Sequence, residues 1–245
     1  MKTILLTVAY DGTDYAGWQR QENAITVQEK LEDALSTLLK KTIQVKAASR
    51  TDAGVHALGQ KVCFTADMRI PLDKLPTVLT GLLPRDISVT EAIFVPSDFN
   101  PRFNPEYKTY TYNIHNARHP NPLLKRYSTF VPQELDIESM KKAAPLFEGR
   151  HDFVAFCATG GSAKTTVREI YDCKVNSQPN GLITITVRGN AFLYNMVRII
   201  AGTLLYVGMV KIPPDAIPSI IQSRDRTRAG KTMPPEGLTL MEVVY

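Results

Sequence analysis

Arg50-Thr51-Asp52-Ala53-Gly54-Val55-His56 sets one carboxylate in a turn, with a guanidinium two residues ahead of it. Thr and Asp side chains bond readily to nearby backbone amides, and glycine takes backbone angles closed to other residues, so regular structure is expected to break here. The flanking residues 43–48 and 60–65 both read as strands, which puts the loop at one end of a sheet. Two readings of Asp52 follow. It caps its own turn, the common case, or it is a lone ionised acid held for chemistry. The rest of the chain decides between them.

Outward from that loop, residues 3–10 alternate as a strand, and Thr26-Val27-Gln28-Glu29 is a capping box opening a helix with Val27, Leu31, Leu35, Leu38 and Leu39 along it. The stretch 10–21 between them is a loop. A Pro-punctuated short helix over 72–83 precedes a strand at 87–95. A second series follows: a strand at 108–115 with Tyr110 and Tyr112 on one face, a helix at 137–147, and strands at 167–175 and 182–188. Asn190 is expected to cap a long apolar helix running to about Val207, ahead of a short helix at 215–222 and a closing strand at 238–245. Both halves mix strands and helices with no long linker between them. The expectation is therefore an α+β catalytic domain over residues 1–245, with two similar halves, about 1–105 and 106–245, sharing one sheet.

At 245 residues and 44% hydrophobic, the chain has enough apolar material for a core without staples. Cys63, Cys157 and Cys173 are odd in number and far apart, with no C-x-x-C pair, which argues for a reducing, cytoplasmic setting. The N-terminus turns polar at Thr7, Asp11 and Asp14, too early for a signal peptide, and no apolar run reaches the length of a membrane span, so a soluble protein is expected. The net charge of +5 favours a polyanionic partner. Positive residues gather at Arg224, Arg226, Arg228 and Lys231, and again at Arg118, His119, Lys125 and Arg126. Either group reads as a solvated loop or as a phosphate-binding surface, and the alternating arginines suit repeated phosphate contacts.

His56, His115, His119 and His151 do not make a metal set, because no spacing brings Cys or acid partners to them. There is no Walker loop, dinucleotide fingerprint or G-x-S-x-G elbow, so nucleotide hydrolysis, hydride transfer and common serine-hydrolase chemistry have no visible equipment. The chemistry is expected to need no cofactor. The loop from Tyr10 to Gln21 combines Trp18 with two tyrosines and two glycines; it stacks on bases or it anchors itself in the core. Tyr110 is either a packed strand aromatic or a flat surface for a flipped base. Arg198 falls among Met196, Val197, Ile199 and Ile200, where a guanidinium needs a partner or a route to solvent.

Arg50-Thr51-Asp52-Ala53-Gly54-Val55-His56, Gly17-Trp18-Gln19, Lys108-x-Tyr110-x-Tyr112, Phe192-Leu193-x-x-Met196-Val197-Arg198-x-x-x-Gly202 and Arg226-x-x-Ala229-Gly230-x-Thr232, with Pro235-x-Gly237-Leu238 after it, occur in that order. Together they resemble the TruA family of tRNA pseudouridine synthases over nearly the whole chain. One departure is Ser49, where the family usually has glycine, which questions the backbone course into the loop.

The resemblance implies the pseudouridine synthase fold, a mixed, largely antiparallel central sheet flanked by helices. It implies isomerisation of uridine to pseudouridine at positions 38, 39 and 40 of the tRNA anticodon stem-loop, with no cofactor, by a cytoplasmic homodimer. Asp52 then matches the nucleophile, Tyr110 the tyrosine that stacks on the target base, Arg50 the arginine that fills the space left by the flipped nucleotide, and Arg198 the basic partner of the catalytic acid. Magnitudes are compatible with that last pairing, since a cation about 4 Å from a carboxylate returns roughly 4 kcal/mol at an effective dielectric near 20, against a burial cost of several kcal/mol. Two rivals remain at this level: a non-catalytic RNA-binding protein of the same fold, and a base-removing glycosidase using the same single acid.

Overall fold

The alternation at the N-terminus becomes β1 (Lys2–Tyr10), with Ile4, Leu6 and Val8 fully buried. The computed structural model describes residues 1–245 apart from Asn104 and Ser162, and divides them into two units, Met1–Glu106 with Thr239–Tyr245, and Tyr107–Leu238.

In the first unit, Thr26 Oγ1 accepts the Glu29 amide and opens α1 (Val27–Leu39), which ends at Lys40 in the left-handed conformation. Next come β2 (Lys46–Ala47), β3 (His56–Ala66), α2 (Leu75–Leu82) and β4 (Ile87–Val95). β1 lies between β4 and β3 and is antiparallel to both, Leu5 facing Ile93 on one side and Cys63 on the other. The closing strand runs parallel to β3, with Thr239 opposite His56.

The strand expected over 43–48 shrinks to the two residues of β2. Ile43 and Val45 are buried as their alternation requires, but their amides are spent on α1: Ile43 N–H donates to Ser36 Oγ at 3.0 Å and Val45 N–H to Glu32 Oε1 at 3.1 Å. A backbone whose donors are taken by helix side chains cannot extend a ladder. The strand expected at 60–65 is longer than its pattern, starting at His56 and following directly on the Asp52 turn.

The second unit contains β5 (Tyr107–Asn116), β6 (Thr129–Val131), α3 (Ile137–Ala143), β7 (Gly149–Asp152), β8 (Val167–Ser177), β9 (Leu182–Gly189), α4 (Met196–Gly208) and α5 (Ile217–Ser223), before the closing β10 (Leu238–Val244). Its strands run in the order β5, β9, β8, β7, antiparallel throughout, while β6 lies parallel to β5. The sheet is thus mixed and largely antiparallel, with helices against it.

Two helix boundaries differ from the sequence reading. The helix expected over 137–147 stops at Ala143 and ends in a 3₁₀ turn over Ala144–Phe147, because Pro145 has no N–H to continue the ladder. Asn190 does not open α4. Its side chain accepts the Glu169 amide at 3.0 Å and its own amide donates to Glu169 O at 3.1 Å, tying it to β8, so the helix starts six residues later behind Asn195. Asn195 takes a φ of 59°, a left-handed angle that asparagine tolerates.

Candidate active site

The Asp52 turn in the first unit is tied to the residues around it. Thr51 and Val55 point inward and are buried, while Asp52 between them stays partly exposed. The Thr51 hydroxyl bonds to the Tyr10 hydroxyl at 2.7 Å, and the Thr51 carbonyl accepts the Trp18 amide at 3.0 Å. The turn closes with Val55 N–H donating to Asp52 O at 3.2 Å, and Gly54, at φ 76°, sends its amide to Tyr15 O at 3.3 Å. Upstream, the amide of fully buried Gln60 clamps both backbone groups of Ser49, accepting Ser49 N–H at 3.2 Å and donating to Ser49 O at 2.7 Å. Ser49 is absent from the residues with positive φ, so a side chain replaces the family's glycine there without backbone strain.

The loop from Tyr10 to Gln21 is the platform under this turn. Trp18 is 2% exposed and its ring centroid lies 5.9 Å from that of buried Tyr10, which decides for the core-anchoring reading of these aromatics. Gly17 crosses directly behind the acid: a Cβ there would sit 2.7 Å from Thr51 O and 3.0 Å from the Asp52 carbonyl carbon. Tyr15 donates its hydroxyl to Asp86 at 2.7 Å, and burial, first, with that bond second, pushes its pKa up. His56, which closes the motif, is buried against the same loop, its Nδ1 3.1 Å from both Gly12 N and Asp11 Oδ1. A carboxylate on so fixed a turn can act as a nucleophile or a base without first being ordered. Arg50, two residues before it, is exposed and lines a cleft of about 330 Å³ in this unit.

The other residues singled out from the sequence fall in the second unit. Tyr110 on β5 is 9% exposed and meets Phe192 edge-to-face at 5.1 Å. Tyr112, on the same face, is structural: it is fully buried, its hydroxyl bonds Thr129 at 2.6 Å and Pro234 O at 2.7 Å, and burial raises its pKa. Arg198 lies in the first turn of α4, where Nε donates to Met233 O and Nη1 to Asn195 Oδ1, both at 2.6 Å. Two fixed bonds hold the guanidinium plane in one orientation, which a flexible ammonium would not match. The Asn195 contact had no sequence signal beyond the residue itself.

The three alternating arginines have different surroundings. Arg226 turns inward, donating to Gly230 O at 2.9 Å and Thr232 Oγ1 at 3.2 Å, and burial lowers its pKa. Arg224, with a φ of 56°, pairs with Asp152 at 2.8 Å. Arg228 is exposed, and its guanidinium approaches Ser219 Oγ at 3.4 Å. The segment is pressed against α4 where two glycines meet: a Cβ on Gly202 would lie 1.9 Å from Lys231 O, and one on Gly230 would lie 2.3 Å from Gly202 O. That contact is why glycines stand in both motifs.

One fixed acid at a sheet end gives the chain a candidate nucleophile or base, and likeness to known proteins supplies the class of enzyme. The family model described as tRNA pseudouridine synthase matches residues 6–104 and 143–245, and this chain belongs to that family. The tRNA pseudouridine synthase A of Ruminiclostridium cellulolyticum is 49% identical over 245 residues, covering all of both chains. The proteins of the same name from Caldicellulosiruptor bescii and Geotalea uraniireducens are each 46% identical, again over the full length of both chains. A solved archaeal box H/ACA ribonucleoprotein complex superposes with a TM-score of 0.37 at 10% identity, covering 83% of this chain and 42% of that one, and adds no weight. No helix among the described residues is long and apolar enough to cross a membrane.

Proposed function

We propose that the chain converts uridine to pseudouridine at positions 38, 39 and 40 of the tRNA anticodon stem-loop, with its two units acting as one catalytic domain. The reaction breaks the bond from uracil N1 to the ribose C1′, turns the base and joins C5 to C1′. The C5 proton leaves and N1 gains one, so the step is redox-neutral and calls for no cofactor. Asp52 is the nucleophile, and Arg198 the cation assigned to its carboxylate. Tyr110 is the stacking surface for the base, and Arg50 fills the space the flipped nucleotide leaves. Arg224, Arg226 and Arg228 form the basic segment assigned to tRNA. The reading extends to a homodimer in the cytoplasm.

The observation that carries the proposal is the Asp52 turn, pinned through Thr51, Gly54 and Val55 while Asp52 itself stays partly exposed. Family membership and full-length relatives named tRNA pseudouridine synthase A support the substrate. The test is Asp52→Asn. Tritium release from tRNA labelled at uracil carbon-5 should vanish, while tRNA affinity stays near that of the parent, since binding rests on distributed phosphate contacts. Near-parental turnover by the variant refutes the assignment. Free uracil among the products of the parent enzyme would instead identify a glycosidase.

A further inference from the structure

The cleft of about 330 Å³ beside the nucleophile turn has a chemistry of its own. Trp18, Gln19, Lys46, Arg50, Arg102 and Phe103 are among the residues that line it. Lys46, Arg50 and Arg102 are exposed, and none has an ion pair among the described residues. Phe103 is 61% exposed. A single exposed phenyl is ordinary; this one stands on a braced loop. Phe103 N–H donates to Asn100 O at 3.1 Å, and the Asn100 side chain accepts the Arg102 amide at 3.1 Å. The Tyr245 hydroxyl donates to Pro101 O, and the Phe99 ring packs edge-on against Tyr245 at 4.9 Å. The ring and its neighbouring guanidinium are thus presented without the entropy cost of ordering a mobile loop.

Three unpaired cations around one exposed aromatic face are the elements of single-strand nucleic-acid recognition, in which bases stack on rings and cations track the backbone. Arg50 belongs to both the cleft and the nucleophile loop. Two residues of chain reach at most about 7 Å, roughly two stacked nucleotides at about 3.4 Å each. We propose that this cleft holds a second nucleotide of the substrate RNA, next to the target uridine on the same strand, its base stacked on Phe103 and its phosphates met by Lys46 and Arg102. The proposal rests on the tRNA-modifying reading above and adds a subsite to it.

Trp18, the single tryptophan of the chain, lines the cleft and reports on its occupancy. Full-length protein titrated with a short single-stranded oligouridylate should show a saturable change in Trp18 emission. Phe103→Ala should weaken that binding by about 5- to 100-fold, with Phe103→Tyr restoring it. Lys46→Gln and Arg102→Gln should each lower the slope of log affinity against log salt by about 0.7. Because Phe103 is exposed, an unchanged thermal melt is expected for its variants and certifies their folding. Parental oligouridylate affinity in folded Phe103→Ala, or no saturable change in the parent, overturns the subsite. The parent's tritium release from labelled tRNA separates the two readings: its presence alongside such a result leaves the function standing and removes the subsite alone, and its absence removes both.

Discussion

Gly17→Ala tests whether the backbone behind Asp52 is what makes the acid useful. The added Cβ would lie 2.7 Å from Thr51 O, where carbon–oxygen contacts settle near 3.4 Å, so the turn must retreat by about 0.7 Å. Gly17 also sits at φ 91°, and a left-handed angle costs a side-chain-bearing residue about 1–2 kcal/mol. A total near 2 kcal/mol corresponds to a fall in Tm of about 4–8 °C for a domain of this size. Because a misplacement of about 1 Å at a reacting group can cost about 100-fold in rate, kcat in the tritium-release assay should fall by roughly that factor, with tRNA affinity preserved. Gly81→Ala is the control: it lies in α2 with nothing within 4 Å of the new methyl, and it should raise stability by about 0.5–1 kcal/mol with turnover unchanged. A folded Gly17→Ala enzyme with parental kcat would refute the idea that this contact positions Asp52.

Arg228→Gln should flatten the salt dependence of tRNA binding by about one logarithmic unit if the exposed guanidinium meets a phosphate. Arg226→Gln, which loses the bonds to Gly230 and Thr232, should instead lower Tm; equal salt slopes in the parent and Arg228→Gln would make that residue a bystander. Tyr110→Phe should keep base binding and Tyr110→Ala should lose about 1–3 kcal/mol of it, so equal binding by the two folded variants excludes stacking. Glu91 has its pKa lowered first by the Thr7 hydroxyl and then by Lys61, bonded at 2.9 and 3.2 Å. A depressed carboxylate stabilises the fold above its unfolded pKa and loses that contribution as pH falls through the folded value. With a half-exposed side chain the gain is about 0.5 kcal/mol or less, so Glu91→Gln should melt slightly below the parent at neutral pH and the two should converge as the pH falls through the folded pKa of Glu91; a gap independent of pH contradicts the ionic origin.

Local chemistry alone specified several elements. The capping box at Thr26, the alternation of residues 3–10 and the strand reading of 87–95 became α1, β1 and β4, because capping and side-chain preference are set within a few residues of chain. The acid in its Arg-Thr-Asp turn was legible for the same reason. What the sequence did not disclose is where backbone groups and side chains find distant partners. Residues 43–48 have a strand's pattern, yet Ser36 and Glu32 take the amides a ladder would need. Arg226 and Arg228 look alike in an alternating run, yet one is spent on Gly230 and Thr232 and the other stays exposed. Trp18 had equal claims to base stacking and to the core until the burial of Tyr10 and the Trp18–Thr51 bond assigned it to the core. Phe103 and Arg102 carried no motif, and only folding sets them beside Lys46 and Arg50. Hydrogen bonds saturate and space is exclusive, so which of several local possibilities a residue realises is decided by the groups that the tertiary structure brings to it first.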